Sequence, residues 1–289
     1  MIQKPIFSPQ VEWLPPTEFP DLSKYSEIAI DLETKDPELK TMGSGSVTGR
    51  GQIVGVAVAV QDWSGYYPVA HEGGGNMDKS MVMKWFQDVL NTEATKIFHN
   101  AMYDVCFIRA AGLKIFGKIV DTMIAGSLVD ENRFRYDLGS MGRDYVGRGK
   151  NEAVLAETAK EWGIDAKSEM YKLPAMYVGA YAEADAQLTL DLWQEMKKEI
   201  INQDIEDIFK LETELFPCLV DMRFLGVRVD TEAAYELKQK LLAEEKECLR
   251  IVQKETGVDA QIWAARSIAQ VFEKLHLPFD RTEKTNSPS

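Results

Sequence analysis

Five residues could do chemistry together if the fold gathers them. Asp31 and Glu33 stand at i, i+2 in Ser26-Glu-Ile-Ala-Ile-Asp-Leu-Glu33, and a strand turns both carboxylates to one side. Two anions held side by side repel and lose hydration, which a divalent cation between them relieves. Asp104 closes His99-Asn-Ala-Met-Tyr-Asp104, placed where a strand should end and a helix begin, the usual position of ligand contacts in α/β sheets. Asn100 reads there as a candidate helix cap. Tyr181 and Asp185 stand at i, i+4 in Tyr181-Ala-Glu-Ala-Asp185 and share a helix face, with Glu183 pointing elsewhere. A phenol beside a carboxylate suits the orientation of a water. Each group alone is weak, since paired acids are commonly solvated and a tyrosine is commonly half-buried packing. Together they form an all-oxygen donor set, which selects Mg²⁺ or Mn²⁺ over zinc. No His/Cys cluster competes, because His71, His99 and His276 are far apart in sequence. The chemistry such a site serves is two-metal phosphodiester hydrolysis, with ions about 3.5–4 Å apart.

The elements that must position these residues follow from periodicity. Ile28, Ile30 and Leu32 alternate with Ala29, Asp31 and Glu33, so one face of the first strand is apolar and the other carries the acids. Gln52-Ile-Val-Gly-Val-Ala-Val-Ala-Val60 reads as a buried strand and Gly65–Ala70 as a third, a meander joined by Gly-rich turns. Gly43-Ser-Gly-Ser-Val-Thr-Gly49 loosely resembles a dinucleotide loop, but a strand rather than a helix follows it, so it reads as a turn. Helical spacing is expected over Met77–Leu90 with Asp78 as N-cap, and over Ala101–Ala111, Ile119–Leu128, Tyr136–Tyr145, Ala153–Trp162 and Pro174–Asn202. A short strand is expected at Thr95–His99. Three strands followed by alternating units predict the α/β class: a mixed sheet covered by helices.

The chain has 289 residues, a prior of roughly two domains at about 150 residues each. Residues 1–22, rich in Pro and aromatics, read as an extended arm. Residues 23–203 read as the α/β domain. Residues 204–289 read as a small all-helical unit: helices at Ile205–Phe224, a long one capped by Thr231, and Ala264–Leu275, then a polar tail that should be poorly ordered. The net charge of −13 excludes a basic nucleic-acid coat, though not an enzyme that grips nucleic acid through metal ions. Three separated cysteines make no disulfide framework or zinc knuckle. No signal peptide or membrane span is expected, which places the chain in the cytoplasm, that of the host if it is phage-encoded.

Asp31-x-Glu33, Asn100-x-x-x-Asp104 and Tyr181-x-x-x-Asp185, in that order, resemble the three Exo motifs of the DEDDy 3′→5′ exonucleases. Ile30-Asp-Leu-Glu-Thr34, Phe98-His-Asn100, Val120-Asp-Thr-Met123 and Ala184-Asp185 are closer still to the proofreading domain of family A (DNA polymerase I-like) DNA polymerases, especially those of bacteriophages. Leu215–Met222, Gly226-Val-Arg-Val-Asp230 and Phe272–Ser289, with its Lys-Thr-x-x-Pro-Ser pattern, are similar to the start of that family's polymerase domain and its helical thumb. The resemblance implies a ribonuclease H-like sheet. It implies two divalent cations, Mg²⁺ with Mn²⁺ able to substitute, held by Asp31, Glu33, Asp104 and Asp185. Tyr181 with Glu33 would orient the attacking water. Single-stranded or mispaired DNA 3′ ends would be the substrate, cradled by Thr34, His99, Asn100, Tyr103 and Arg135 (the last equally a surface ion-pair partner). The product would be a 5′-mononucleotide, and the rest of a family A polymerase, in the same or a separate chain, would be the partner. No palm or fingers follow, so this chain is expected not to polymerise alone. A ribonuclease D-like RNA exonuclease and a catalytically silent polymerase domain are the alternatives.

Overall fold

The alternation in β1 (Glu27–Lys35) builds the central strand, and the computed structural model, which describes residues 11–282, shows both of its faces at work. Between β1 and β2 (Gln52–Val60) lie two four-residue helices, α1 (Leu39–Met42) and α2 (Gly45–Thr48). β3 (Trp63–Pro68) completes an antiparallel meander. Then come α3 (Lys79–Leu90), β4 (Thr95–Phe98), α4 (Ala101–Ala110), β5 (Ile119–Asp121), α5 (Thr122–Val129), α6 (Leu138–Met141) running into a π-turn at Gly142–Val146, and α7 (Ala153–Glu161). Two 3₁₀ turns, Met170–Lys172 and Ala175–Tyr177, lead into α8 (Gly179–Asn202) and α9 (Glu206–Leu225). The strand order is β3-β2-β1-β4-β5, with β4 and β5 parallel to β1.

Each face of the sheet has its own core. Ile28, Ile30 and Leu32 pack with Val56, Val58, Phe86, Leu90 and Phe107 on the α3–α4 side. On the other side Ala29, Ala57 and Ala59 meet Ala182, Ala186 and Trp193 of α8. Small residues on both partners let the helix lie close over β1 and β2, a close-packed arrangement that one added methylene would disturb. The Asp31/Glu33 side chains belong to this second face.

Several sequence expectations change. The segment Ile119–Leu128 is not wholly helical: Ile119–Asp121 pair with β4 as a fifth strand, and the Asp121 carboxylate, accepting from Met123 N at 2.8 Å, starts the helix only at Thr122. The Gly-rich stretch is not a plain turn, because Asp36 draws in Gly45 N through both carboxylate oxygens (3.1 and 3.0 Å) and winds α2. The Tyr136–Tyr145 helix shortens to α6 and the π-turn, and Pro174–Asn202 divides into a 3₁₀ turn and α8. By packing, the first compact unit runs to Leu225, with Phe209, Phe216 and Val220 of α9 buried in its two cores.

The second compact unit begins at Gly226. α10 (Thr231–Thr256) is capped by Asp230, which accepts from Ala233 N at 2.9 Å, and not by Thr231. α10 buries none of its residues; α11 (Ala265–Lys274) buries Ala269 and Val271. The tail from residue 283 and the arm before residue 11 lie outside the described residues. Cys106 is buried, Cys218 and Cys248 are exposed, and all three are free thiols. Among the described residues no helix is long and apolar enough to cross a membrane.

Candidate active site

β1 presents Asp31 opposite Ala57 and Glu33 opposite Gly55, and the register shifts between Glu33 and Thr34. A bulge at such a place re-aims the side chains beside it. Gly55 is required there. A Cβ on it would stand 2.1 Å from the Tyr66 hydroxyl, which crosses the strand to donate to His71 Nε2 at 2.6 Å. His71 Nδ1 is bonded to Leu173 O at 3.0 Å, so its proton sits on that nitrogen and Nε2 accepts.

α4 brings Asp104 to β1. Its Oδ1 accepts from Leu32 N, the amide between the two strand acids, at 3.0 Å. Asn100 occupies the N-cap position with φ 65° but makes no capping bond. Asp121 does that work instead, accepting from Asn100 N (2.9 Å) and Ala101 N (2.8 Å) as well as from the first turn of α5. One carboxylate thus caps two helices, where it meets the positive end of each.

α8 supplies Tyr181 and Asp185 from one face. Glu183 points away, as the spacing indicates, and its Oε1 accepts from Tyr66 N and from Trp13 Nε1, each at 3.0 Å. Trp13 lies so close to the start of α8 that a Cβ on Gly179 would come within 2.1 Å of its ring. Arm, β3 and α8 are therefore pinned together on the opposite side of the helix from the acids.

Burial and mutual repulsion define the electrostatics. Burial pushes the Asp31 carboxyl up to about 7, with the Asp185 charge adding and Lys150 opposing. Glu33 is raised well above its ordinary value by burial, then by Asp31 and Asp185. Asp104 is raised by burial and Asp31 against the pull of the Leu32 amide. Asp185, 1% exposed, is raised by burial despite Lys150. Each acid thus feels another acid's charge. Burial, then Glu33 and Asp185, raise the Tyr181 phenol, which stays an O–H. Burial first, then the Lys150 charge, pushes His99 down to about 4, so it is neutral.

A cleft of about 720 Å³ opens onto this cluster, lined by Asp31, Asp104 and Tyr181. Of the residues read as a substrate cradle, His99, Asn100, Tyr103 and Arg135 line it. Thr34 is tied to them through its hydroxyl, 2.9 Å from Tyr103 OH, which itself donates to Asp36 Oδ2 at 3.2 Å. Arg135 forms no ion pair among the described residues, while its neighbour Arg133 pairs with Asp144 at 2.6 Å. Lys150 escaped the sequence reading. Its Nζ donates to Asp185 Oδ2 at 2.5 Å and to Tyr181 OH at 3.0 Å. The available signal was the basic, Gly-rich Gly147-Arg-Gly-Lys150 just ahead of α7.

Among the described residues no group of three or more acids, histidines or cysteines is placed so that it could hold a metal ion. The donor set nevertheless fits a hard divalent cation. It consists of carboxylate oxygens only, their charges repel, and buried Asp185 Oδ1 has no hydrogen-bond partner.

A mixed five-stranded sheet with helices on both faces, its acids on the central strand and on two of the covering helices, has the ribonuclease H-like fold. The same fold occurs in Brucella melitensis NrnC with bound Mg²⁺ (TM-score 0.51, 16% identity, 71% of this chain and 89% of that one). It occurs also in the POL domain of Pol1 from M. smegmatis (TM-score 0.62, 15% identity, 92% of this chain and 40% of that one). The 3′–5′ exonuclease family model of the family A DNA polymerases matches residues 19–201, and the chain belongs to that family. A DNA-directed DNA polymerase of Pseudomonas phage M6 is 32% identical over 98% of this chain. DNA polymerase I of Chloroflexus aurantiacus is 27% identical over 64% of it and shares 20% of its own length. The chain spans 44% of the length of the phage M6 polymerase.

Proposed function

We propose that the chain is a 3′→5′ exodeoxyribonuclease that removes 5′-mononucleotides from single-stranded or mispaired DNA ends, the proofreading part of a family A polymerase. The observation that carries this is the set of buried, mutually repelling carboxylates from β1, α4 and α8 at the cleft of a chain in this family. Asp31, Glu33, Asp104 and Asp185 would hold two Mg²⁺ or Mn²⁺ ions. When bound, these supply charge neutralisation at the phosphate and lower the pKa of a water. Tyr181, kept protonated, orients the attacking water together with Glu33. As that water's oxygen bonds to phosphorus it loses a proton. The P–O3′ bond breaks, its electron pair leaves on the 3′ oxygen, and that oxygen takes up a proton. Asn100, His99, Tyr103, Thr34 and Arg135 hold the terminal nucleotide by stacking and polar contacts, without base readout.

The test is a gel of a 3′-mispaired DNA primer with Mg²⁺, wild type beside Asp31→Ala. The reading expects stepwise shortening to 5′-mononucleotides and roughly a thousandfold slower reaction in the variant. Retention of more than about a tenth of the rate in Asp31→Ala refutes the assignment. Faster digestion of an RNA 3′ end than of DNA transfers the reading to a ribonuclease D-like enzyme.

A further inference from the structure

Lys150 stands among the acids with two of its donors committed and the rest of its head facing the cleft. An ammonium carries three N–H groups. One goes to Asp185 Oδ2 (2.5 Å) and one to Tyr181 OH (3.0 Å), while the side chain keeps 26% exposure and lines the cleft beside Asp31 and Tyr181. Neighbouring Arg148 turns outward to Asp191 and takes no part. A counter-ion for Asp185 alone has no need to open onto the cleft. Pinning from two sides also removes the rotamer freedom that makes lysine contacts costly to order.

We propose that Lys150 touches the substrate, giving its third N–H to a non-bridging oxygen of the scissile phosphodiester. The contact rests on the exonuclease reading above. During hydrolysis that oxygen gains charge, and an ammonium already fixed beside Tyr181 meets it without reorganisation. The bond to the Tyr181 oxygen also turns the phenolic O–H away from the lysine, so that one side chain serves both the phosphate and the water-orienting group.

The test is a binding comparison that needs no cleavage. Two fluorescein-labelled single-stranded oligothymidylates are used, one with an ordinary 3′-terminal phosphodiester and one with an uncharged methylphosphonate at that linkage. Their Kd values are measured by anisotropy in Ca²⁺ with wild type, Lys150→Met and Lys150→Arg. Lys150→Met is expected to weaken the ordinary oligonucleotide about tenfold or more and the methylphosphonate less than about twofold, with Lys150→Arg recovering most of the difference. Equal weakening of both oligonucleotides, or weakening of neither, overturns the contact. Lys150→Gln carries the same comparison if the methionine variant does not fold. Cleavage of the ordinary oligonucleotide by the wild type in Mn²⁺ is scored separately. Its absence removes the exonuclease reading, while the binding comparison still decides the phosphate contact.

Discussion

Asp31 is held in the folded chain at a cost. Its carboxyl rises from 3.8 to about 7, through burial first and Asp185 second. The folded protein therefore keeps a proton that the unfolded chain has released, and between about pH 4 and 7 stability falls as pH rises when no divalent cation is present. Asp31→Asn removes that penalty. In EDTA at pH 8 it should be more stable than wild type by ~1 kcal/mol or more, as thermal unfolding would register. Mn²⁺ should raise the melting temperature of the wild type more than that of the variant, because it binds the native acids. Equal melting temperatures in EDTA would show that Asp31 is not strained. The acids themselves were legible in the sequence, since i, i+2 on a strand and i, i+4 on a helix are fixed spacings. Lys150 was not, because nothing in the spacing of Gly147-Arg-Gly-Lys150 reveals which side chain a distant helix will meet.

At the scale of elements, the relation between β1 and α8 decides whether the acids share a site. Alanines on both partners set the separation, and Glu183 fixes the helix rotation by accepting from Tyr66 N and Trp13 Nε1. Glu183→Ala leaves two part-buried donors unpaired and should cost about 1 kcal/mol in urea unfolding. It should also lower kcat more than it raises KM, because Tyr181 and Asp185 move with the helix. A kcat within twofold of wild type would show that the bracket does not position the site. The meander and the helices α3, α4, α7 and α9 were readable from periodicity and capping residues. β5 was missed because three residues are too few to show a period of two, and its apolar run continues directly into α5. Asp121 was read only as part of a motif, because capping two helices is a tertiary fact.

At the scale of the whole molecule, both cores of the first unit draw their described residues from positions up to Phe224. A chain ended after Leu225 should therefore unfold cooperatively and keep 3′-end cleavage within about threefold of the full chain. Loss of the cooperative transition would show that residues 226–289 are needed for the fold. The charge of −13 was legible from composition, whereas the gathering of Asp31, Glu33, Asp104 and Asp185 within reach of one another's charge required the fold. The central proposal is that four carboxylates from three elements would share divalent cations, and titration calorimetry of Mn²⁺ into wild type and Asp31→Asn, near pH 6.5 in two buffers of different ionisation enthalpy, tests it most directly. The account predicts that binding to the wild type releases protons, because raised carboxyls must ionise to take the ion, and that Asp31→Asn binds at least about tenfold more weakly with less proton release. Binding without proton release, at equal affinity in both proteins, would contradict it.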